Sequence, residues 1–355
     1  MEFLFEYGLF FAKTVTFVVA LVIILSLLVG ASQKAKQSHG KGHLEVTSLN
    51  PQFEDLKETM LLATTDELQQ KDQEKELAKA KKKEKAEAKK ALKKSTGAAD
   101  EPRSKVFVLN FQGDISASEV SHLREEITAV LTQATERDEV VLRLESPGGM
   151  VHSYGLASSQ LDRLRKKNIP LTVCVDEVAA SGGYMMACVA DKIFTAPFAI
   201  IGSIGVVAQM PNFNKILKKN DVDYEMLTAG EYKRTLTIFG ENTEEGRAKF
   251  IQDLEETHQL FKEFVSSRRP QVDIEKIATG EIWYGTKAQE VALVDGIQTS
   301  DEYIVSRFDD ADVFEVRYVL KKKLHERIGL AAESSIDRLV SKWWSRLTDR
   351  SNRYY

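Results

Sequence analysis

Cysteine is nearly absent from this 355-residue chain. Only Cys174 and Cys188 occur, both in apolar surroundings, so neither a disulfide framework nor a zinc spacing can be built from them. Histidine is sparse as well. The six are scattered, none forms an H-E-x-x-H pair, and cofactor-free chemistry without a metal is the starting expectation. A basic excess is missing too. The net charge is −4, which argues against nucleic acid as a partner. What the chain has is apolar content, 43% of residues, enough for a sizeable core.

One long uncharged apolar run stands at the start, Thr14 to Ala31, extended by Leu9, Phe10 and Phe11. About 20 such residues span a bilayer as a helix. Its flanks carry Glu2, Glu6 and a single Lys13, not the basic start of a secretory signal. An uncleaved single-pass anchor over 1–36 is therefore expected. Lys34, Lys36 and Lys41 after the span favour a cytoplasmic main domain. A second uncharged run, Ile193 to Met210, is interrupted by Pro197, Gly202 and Gly205 and reads as buried strands, not as a span.

Residues 37–104 read as a polar extension. A short amphipathic helix is expected from Asn50-Pro51 through Phe53, Leu56 and Met60. Lys, Glu, Ala and Gln then dominate Glu67 to Lys94, a solvated spacer with lipid headgroup contact as its functional alternative. The folded domain is expected over 105–320. Strand-like runs at Val106–Leu109, Val140–Leu144 and Leu171–Val175 alternate with helical spacing at Val120–Leu131 and Leu156–Leu164. That alternation predicts an α/β domain with parallel pairing and a site at the carboxyl ends of the strands. The basic tail, 321–355, carries an apolar stripe with Trp343 and Trp344, suited to packing on a neighbouring subunit or to the headgroup region.

Three segments could carry chemistry. Ser181, in Ala-Ala-Ser-Gly-Gly-Tyr, follows a strand and opens a helix-compatible run, a placement that exposes a nucleophile and lets Gly182 N–H face an oxyanion. Ser146-Pro147-Gly148-Gly149 follows a buried strand. Gly149 N–H suits a second oxyanion donor, and the loop, with Gly148, suits an extended substrate strand. Either segment could equally be an ordinary glycine turn. A base must take the serine proton. The candidates are His152 beside the glycine loop, His122, His258, and Lys233 in Glu-Tyr-Lys-Arg, which would serve if burial lowered its pKa. Spacing does not choose among them, because triads are defined by geometry.

The blocks Asp176–Tyr184, Gly202-Ser203-Ile204-Gly205-Val206, Tyr232-Lys233, the Ser-Pro-Gly-Gly loop, Gly280–Gly285 and Leu293–Gly296, in that family's order, resemble the signal peptide peptidase A family (S49) of serine peptidases over roughly 105–320. The likeness is strongest to its inner-membrane members with an N-terminal extension. The resemblance implies a ClpP/crotonase-like spiral of βαβ units and a Ser-Lys dyad of Ser181 and Lys233. It implies Gly149 and Gly182 as oxyanion donors, and Ser203 holding the lysine amine. Signal peptides or membrane-protein fragments would be the substrates. It further implies a homo-oligomer with the site shared between subunits, in a bacterial inner membrane. Peptidases of this kind acting on the outer side favour a periplasmic domain, so the side of the membrane stays open. One departure stands out. Thr237-Ile238-Phe239 occupies the place where the family often has Pro-Phe, which puts the local loop geometry in question. Two other readings remain: a Ser-His-Asp triad on the same architecture using His152, and a catalytically silent membrane scaffold.

Overall fold

Parallel strands buried on both faces read as nearly unbroken apolar runs, and this chain supplies several. We describe a computed structural model covering residues 15–17, 42–65 and 103–320. The elements are β1 (His43–Ser48), α1 (Asn50–Thr64), β2 (Ser104–Gln112), α2 (Val120–Val130), β3 (Glu139–Glu145), α3 (Val151–Arg165), β4 (Leu171–Val175), β5 (Val178–Ala180), α4 (Gly182–Ala187), β6 (Lys192–Thr195), β7 (Ile200–Gly202), α5 (Asn214–Lys219), α6 (Glu244–Arg268), α7 (Ile274–Ile277), β8 (Ile282–Tyr284), α8 (Gly285–Glu290), β9 (Gly296–Ile297), α9 (Ser300–Arg307) and β10 (Ala311–Val319). Leu44 to Tyr318 form one compact unit.

The main sheet runs β1-β10-β2-β3-β4-β6-β9, and from β10 to β9 every pairing is parallel. The fold is mixed α/β with a mainly parallel central sheet. Alternation divides its two faces. Phe107, Leu109, Phe111, Leu142 and Leu144 join the larger core, whereas Val106, Val108 and Val141 pack with Ile304 and Val313 on the other face. Leu123, Ile127 and Val130 of α2 recur at helical spacing and are buried, as are Tyr154, Leu161 and Leu164 of α3. Both cysteines are buried, and burial pushes each thiol up to about 12.

The apolar run after Asp191 becomes β6 and β7, strands as its interruptions predict. Among the described residues no helix is long and apolar enough to cross a membrane. The expected anchor (apart from residues 15–17), the Lys/Glu-rich segment and the C-terminal tail lie outside the described residues. Part of the polar extension is tied to the main α/β region. Asn50 donates through Nδ2 to Ala311 O at 3.0 Å and accepts from Val313 N at 2.7 Å, while Phe53 stacks on Phe308 at 4.4 Å.

Glu126 of α2 is buried, with Oε1 accepting from Tyr318 N at 2.8 Å and, among the described residues, no partner for Oε2. Burial raises its carboxyl from 4.5 to about 7, against the opposing Tyr318 hydrogen bond. Unfolding releases that proton near the ordinary glutamate value. The folded chain thus binds more protons between 4.5 and 7, and stability falls as pH rises through that window. Glu126→Gln is expected to raise stability at pH 8 by about 1–3 kcal/mol and to change it little at pH 4. Denaturant midpoints of both proteins at the two pH values check this.

Candidate active site

A second, smaller sheet sets the site. β5 pairs with β7 in parallel, and β7 with β8 antiparallel. Ser181 follows β5 directly and caps α4. Its amide donates to Gly202 O at the end of β7, 2.7 Å away, and its carbonyl accepts from Met185 N. Between these two bonds its backbone is held at φ 50°, ψ −117°. That conformation is sparsely populated for a residue with a side chain and costs on the order of 1–3 kcal/mol. Ser181 is half-buried and lines a narrow cleft with Gly149, Gly182, Met185, Gly205 and Phe261 among others.

The Ser-Pro-Gly-Gly loop closes over this turn. Ser146 N donates to Val178 O at 2.7 Å, and Ala180 N donates to Ser146 O at 3.0 Å, so the loop is stitched to β5. Glu145, the last residue of β3, accepts from the amides of Asp176, Glu177 and Val178 at 2.8–3.1 Å, fixing the turn between β4 and β5. Burial raises its carboxyl above the ordinary range, and those three amides pull the other way. Gly148 sits at φ 89°, where an added Cβ would lie 2.7 Å from both Ala180 O and Gly182 N. At Gly149 a Cβ would lie 2.2 Å from Ile115 O. Among the described residues, neither Gly149 N–H nor Gly182 N–H has a hydrogen-bond acceptor. Two unpaired amides beside a hydroxyl are the arrangement that stabilises a developing oxyanion.

Ser203 lies one residue beyond Gly202, at φ 51°, with its amide donating to Glu281 O at 2.7 Å. Ser181, Gly148, Gly149, Gly182 and Ser203 thus fall around one turn. Lys233 does not join them. It is exposed, its amide donates to Gly230 O within a turn, and among the described residues no hydrogen bond or ion pair links its side chain to Ser181. The loop after it is held by Thr237, whose Oγ1 accepts from Phe239 N and Gly240 N and whose carbonyl accepts from Asn212 Nδ2. A threonine-centred turn thus shapes the stretch in which the family often has Pro-Phe.

No histidine reaches Ser181 by hydrogen bond among the described residues. His152 is exposed, His122 packs beside Tyr318, and His258 directs Nε2 to Ile204 O at 3.2 Å. The sequence places Leu254 and His258 on an amphipathic helix, the observed α6, but does not show that this helix brings Thr257 and Phe261 to the cleft. Reading the sequence missed Tyr154, buried beneath Gly182. A tyrosine on the buried stripe one turn after the glycine pair was the available signal.

Comparison with known proteins completes this picture. The model of the peptidase family S49 N-terminal region matches residues 2–161, and that of peptidase family S49 matches 163–313. A protein of Haemophilus influenzae named "Probable protease SohB" is 51% identical over 337 residues, 95% of each chain. The "Probable protease SohB" of Buchnera aphidicola subsp. Schlechtendalia chinensis is 53% identical over 308 residues, 86% of this chain and 100% of its own. "Protease 4" of H. influenzae is 29% identical over 214 residues, 57% of this chain and 34% of its own. On these matches the chain belongs to peptidase family S49 and is a peptidase.

Proposed function

We propose that the chain is a membrane-anchored serine endopeptidase in which Ser181 attacks the peptide carbonyl and Lys233 is the general base. The observation that carries this reading is the strained Ser181 turn beside two amides with no acceptor, Gly149 and Gly182. A neutral Lys233 amine takes the Oγ proton as the serine bonds to the carbonyl carbon. The carbonyl electron pair moves onto oxygen, between the two N–H groups. Lys233 then protonates the leaving amine, and water, deprotonated by the same lysine, hydrolyses the ester. Ser203 Oγ orients the lysine amine, and the Gly148 loop holds substrate as an added strand.

Lys233 reaches Ser181 from a neighbouring copy in this reading. Its exposure supports that, and exposed apolar side chains occur elsewhere on the described surface. Leu227 is 93% exposed and Val207 77%. In an assembly such side chains can be covered by a partner. The assembly is a homo-oligomer of ClpP/crotonase-like spiral domains. Each is tethered by the apolar stretch Thr14–Ala31 to a bacterial inner membrane, where signal peptides or membrane-protein fragments are at hand. The basic tail packs on a neighbour.

A fluorophosphonate probe tests the nucleophile. Oγ displaces fluoride at phosphorus, and mass spectrometry is expected to find the adduct on Ser181 of the assembled enzyme. A different labelled serine, or none with peptidase activity intact, would overturn the assignment. His152→Ala and His258→Ala are expected to retain hydrolysis within about tenfold of wild type, since neither supplies the proton transfer. Abolition by either would favour a histidine base.

A further inference from the structure

Beneath the glycine loop runs a chain of hydrogen bonds whose direction is fixed at both ends. Gly148 N–H donates to Ser146 Oγ at 3.1 Å, and a backbone amide can only donate. Tyr154 Oη lies 2.8 Å from Asp114 O, and a carbonyl can only accept, so the tyrosine proton points there. Ser146 Oγ and Tyr154 Oη are 2.5 Å apart. With the tyrosine proton already committed, the serine hydroxyl donates to Tyr154. The order is therefore Gly148 N–H, Ser146 O–H, Tyr154 O–H, Asp114 O.

Both side chains have no exposed surface, so water cannot substitute for a missing member. Burial raises the Tyr154 phenol above its ordinary value, and its hydroxyl keeps the proton. Space is reserved for the chain as well. A Cβ on Gly113 would lie 2.2 Å from Ser146 Oγ and 2.4 Å from Tyr154 Oη. Tyr154 also touches the other side of the cleft, because a Cβ on Gly182 would lie 2.4 Å from its ring. Tyr154 thus bridges the glycine loop and the start of α4. Its ring backs Gly182, and its hydroxyl, through Ser146, holds Gly148 and so aims the next amide, Gly149.

We infer that Ser146 and Tyr154 are positioning residues that fix the two amides receiving the oxyanion. The inference rests on the proposed reading of Ser181, Gly149 and Gly182. Neither side chain touches substrate. What they supply is a fixed separation between the donors, which matters most when charge appears on the substrate oxygen.

The test uses the full-length oligomer as wild type, Ser146→Ala, Tyr154→Phe and the double variant. Each single variant removes one oxygen, and Tyr154→Phe retains the ring under Gly182. If one fails to fold, the other carries the test. Three quantities are read: kcat, KM for a peptide substrate, and inhibition by a peptide aldehyde. Ser181 Oγ adds to the aldehyde carbon, and the hemiacetal oxygen occupies the oxyanion position. Expected is a fall in kcat of about 10–100-fold with KM within about twofold, and aldehyde affinity falling in step with kcat/KM. The double variant should be no worse than the poorer single one, since a broken chain cannot be broken twice. Full kcat in the folded variants would overturn the inference. So would lost kcat with unchanged aldehyde affinity, the mark of a structural role alone. Wild-type activity in a Ser181→Ala control would instead sink the underlying reading of the site, and the inference with it.

Discussion

Alanine at Ser181 is expected to lower kcat by about 10⁴–10⁶-fold, and alanine at Lys233 by a comparable factor, with no multiplication of the two losses in the double variant. In the proposed mechanism the two groups act on one proton. Without Oγ there is no acyl-enzyme, and without the amine the hydroxyl remains a weak nucleophile at neutral pH. Residual activity is expected from the amides of Gly149 and Gly182 as proposed oxyanion donors, which both variants retain. The backbone at Ser181 adds a second expected result. At φ 50°, ψ −117° a side chain is strained, so Ser181→Gly should be as inactive as alanine yet more stable than wild type by about 1 kcal/mol. Peptide hydrolysis and denaturant midpoints on the same preparations check both. Greater stability without activity would mark the turn as strained for chemistry; an unchanged midpoint would remove the strain from the account.

Gly182→Ala is expected to cost about 10²–10³-fold in kcat and about 1–3 kcal/mol in stability. Its methyl would lie 2.4–2.9 Å from Cγ, Cδ2 and Cβ of Tyr154. That ring is fully buried and its hydroxyl is fixed to Ser146 and Asp114, so it has nowhere to retreat. The helix start must move instead, carrying the Gly182 amide away from the place of the oxyanion. Gly155→Ala serves as the comparison, since nothing lies within 4 Å of a Cβ there, and it should be nearly neutral in both readouts. Kinetics and melting of the two alanine variants separate a specific close approach from a general intolerance of glycine replacement.

Much of the α/β framework was legible because local periodicity and burial agree. Val140–Leu144 and Leu171–Val175 are apolar on both faces and become β3 and β4, and the spacing of Val120, Leu123, Ile127 and Val130 becomes α2. The serine turn was legible because glycine pairs after strands permit close backbone approach, which Gly148 and Gly182 display. The second sheet was legible only at β7, which lies in the interrupted apolar run; β5 and β8 have three residues each, too short to carry a period. Nor could spacing bring α6 to the cleft, since Phe261 lies eighty positions from Ser181 in sequence. Lys233 shows the limit most clearly. Resemblance alone selects it, and among the described residues nothing draws it to the serine.

The measurement that bears most directly on the shared site is complementation between two inactive variants. Ser181→Ala and Lys233→Ala chains, carrying different tags, are co-expressed, and oligomers containing both are isolated by tandem purification. If serine and lysine come from adjacent subunits, random mixing pairs an intact serine with an intact lysine at about one site in four, and about a quarter of wild-type activity returns. If each chain supplies both groups to its own site, no site in the mixed oligomer is complete. Activity no higher than that of the two variants alone would contradict a site built between subunits.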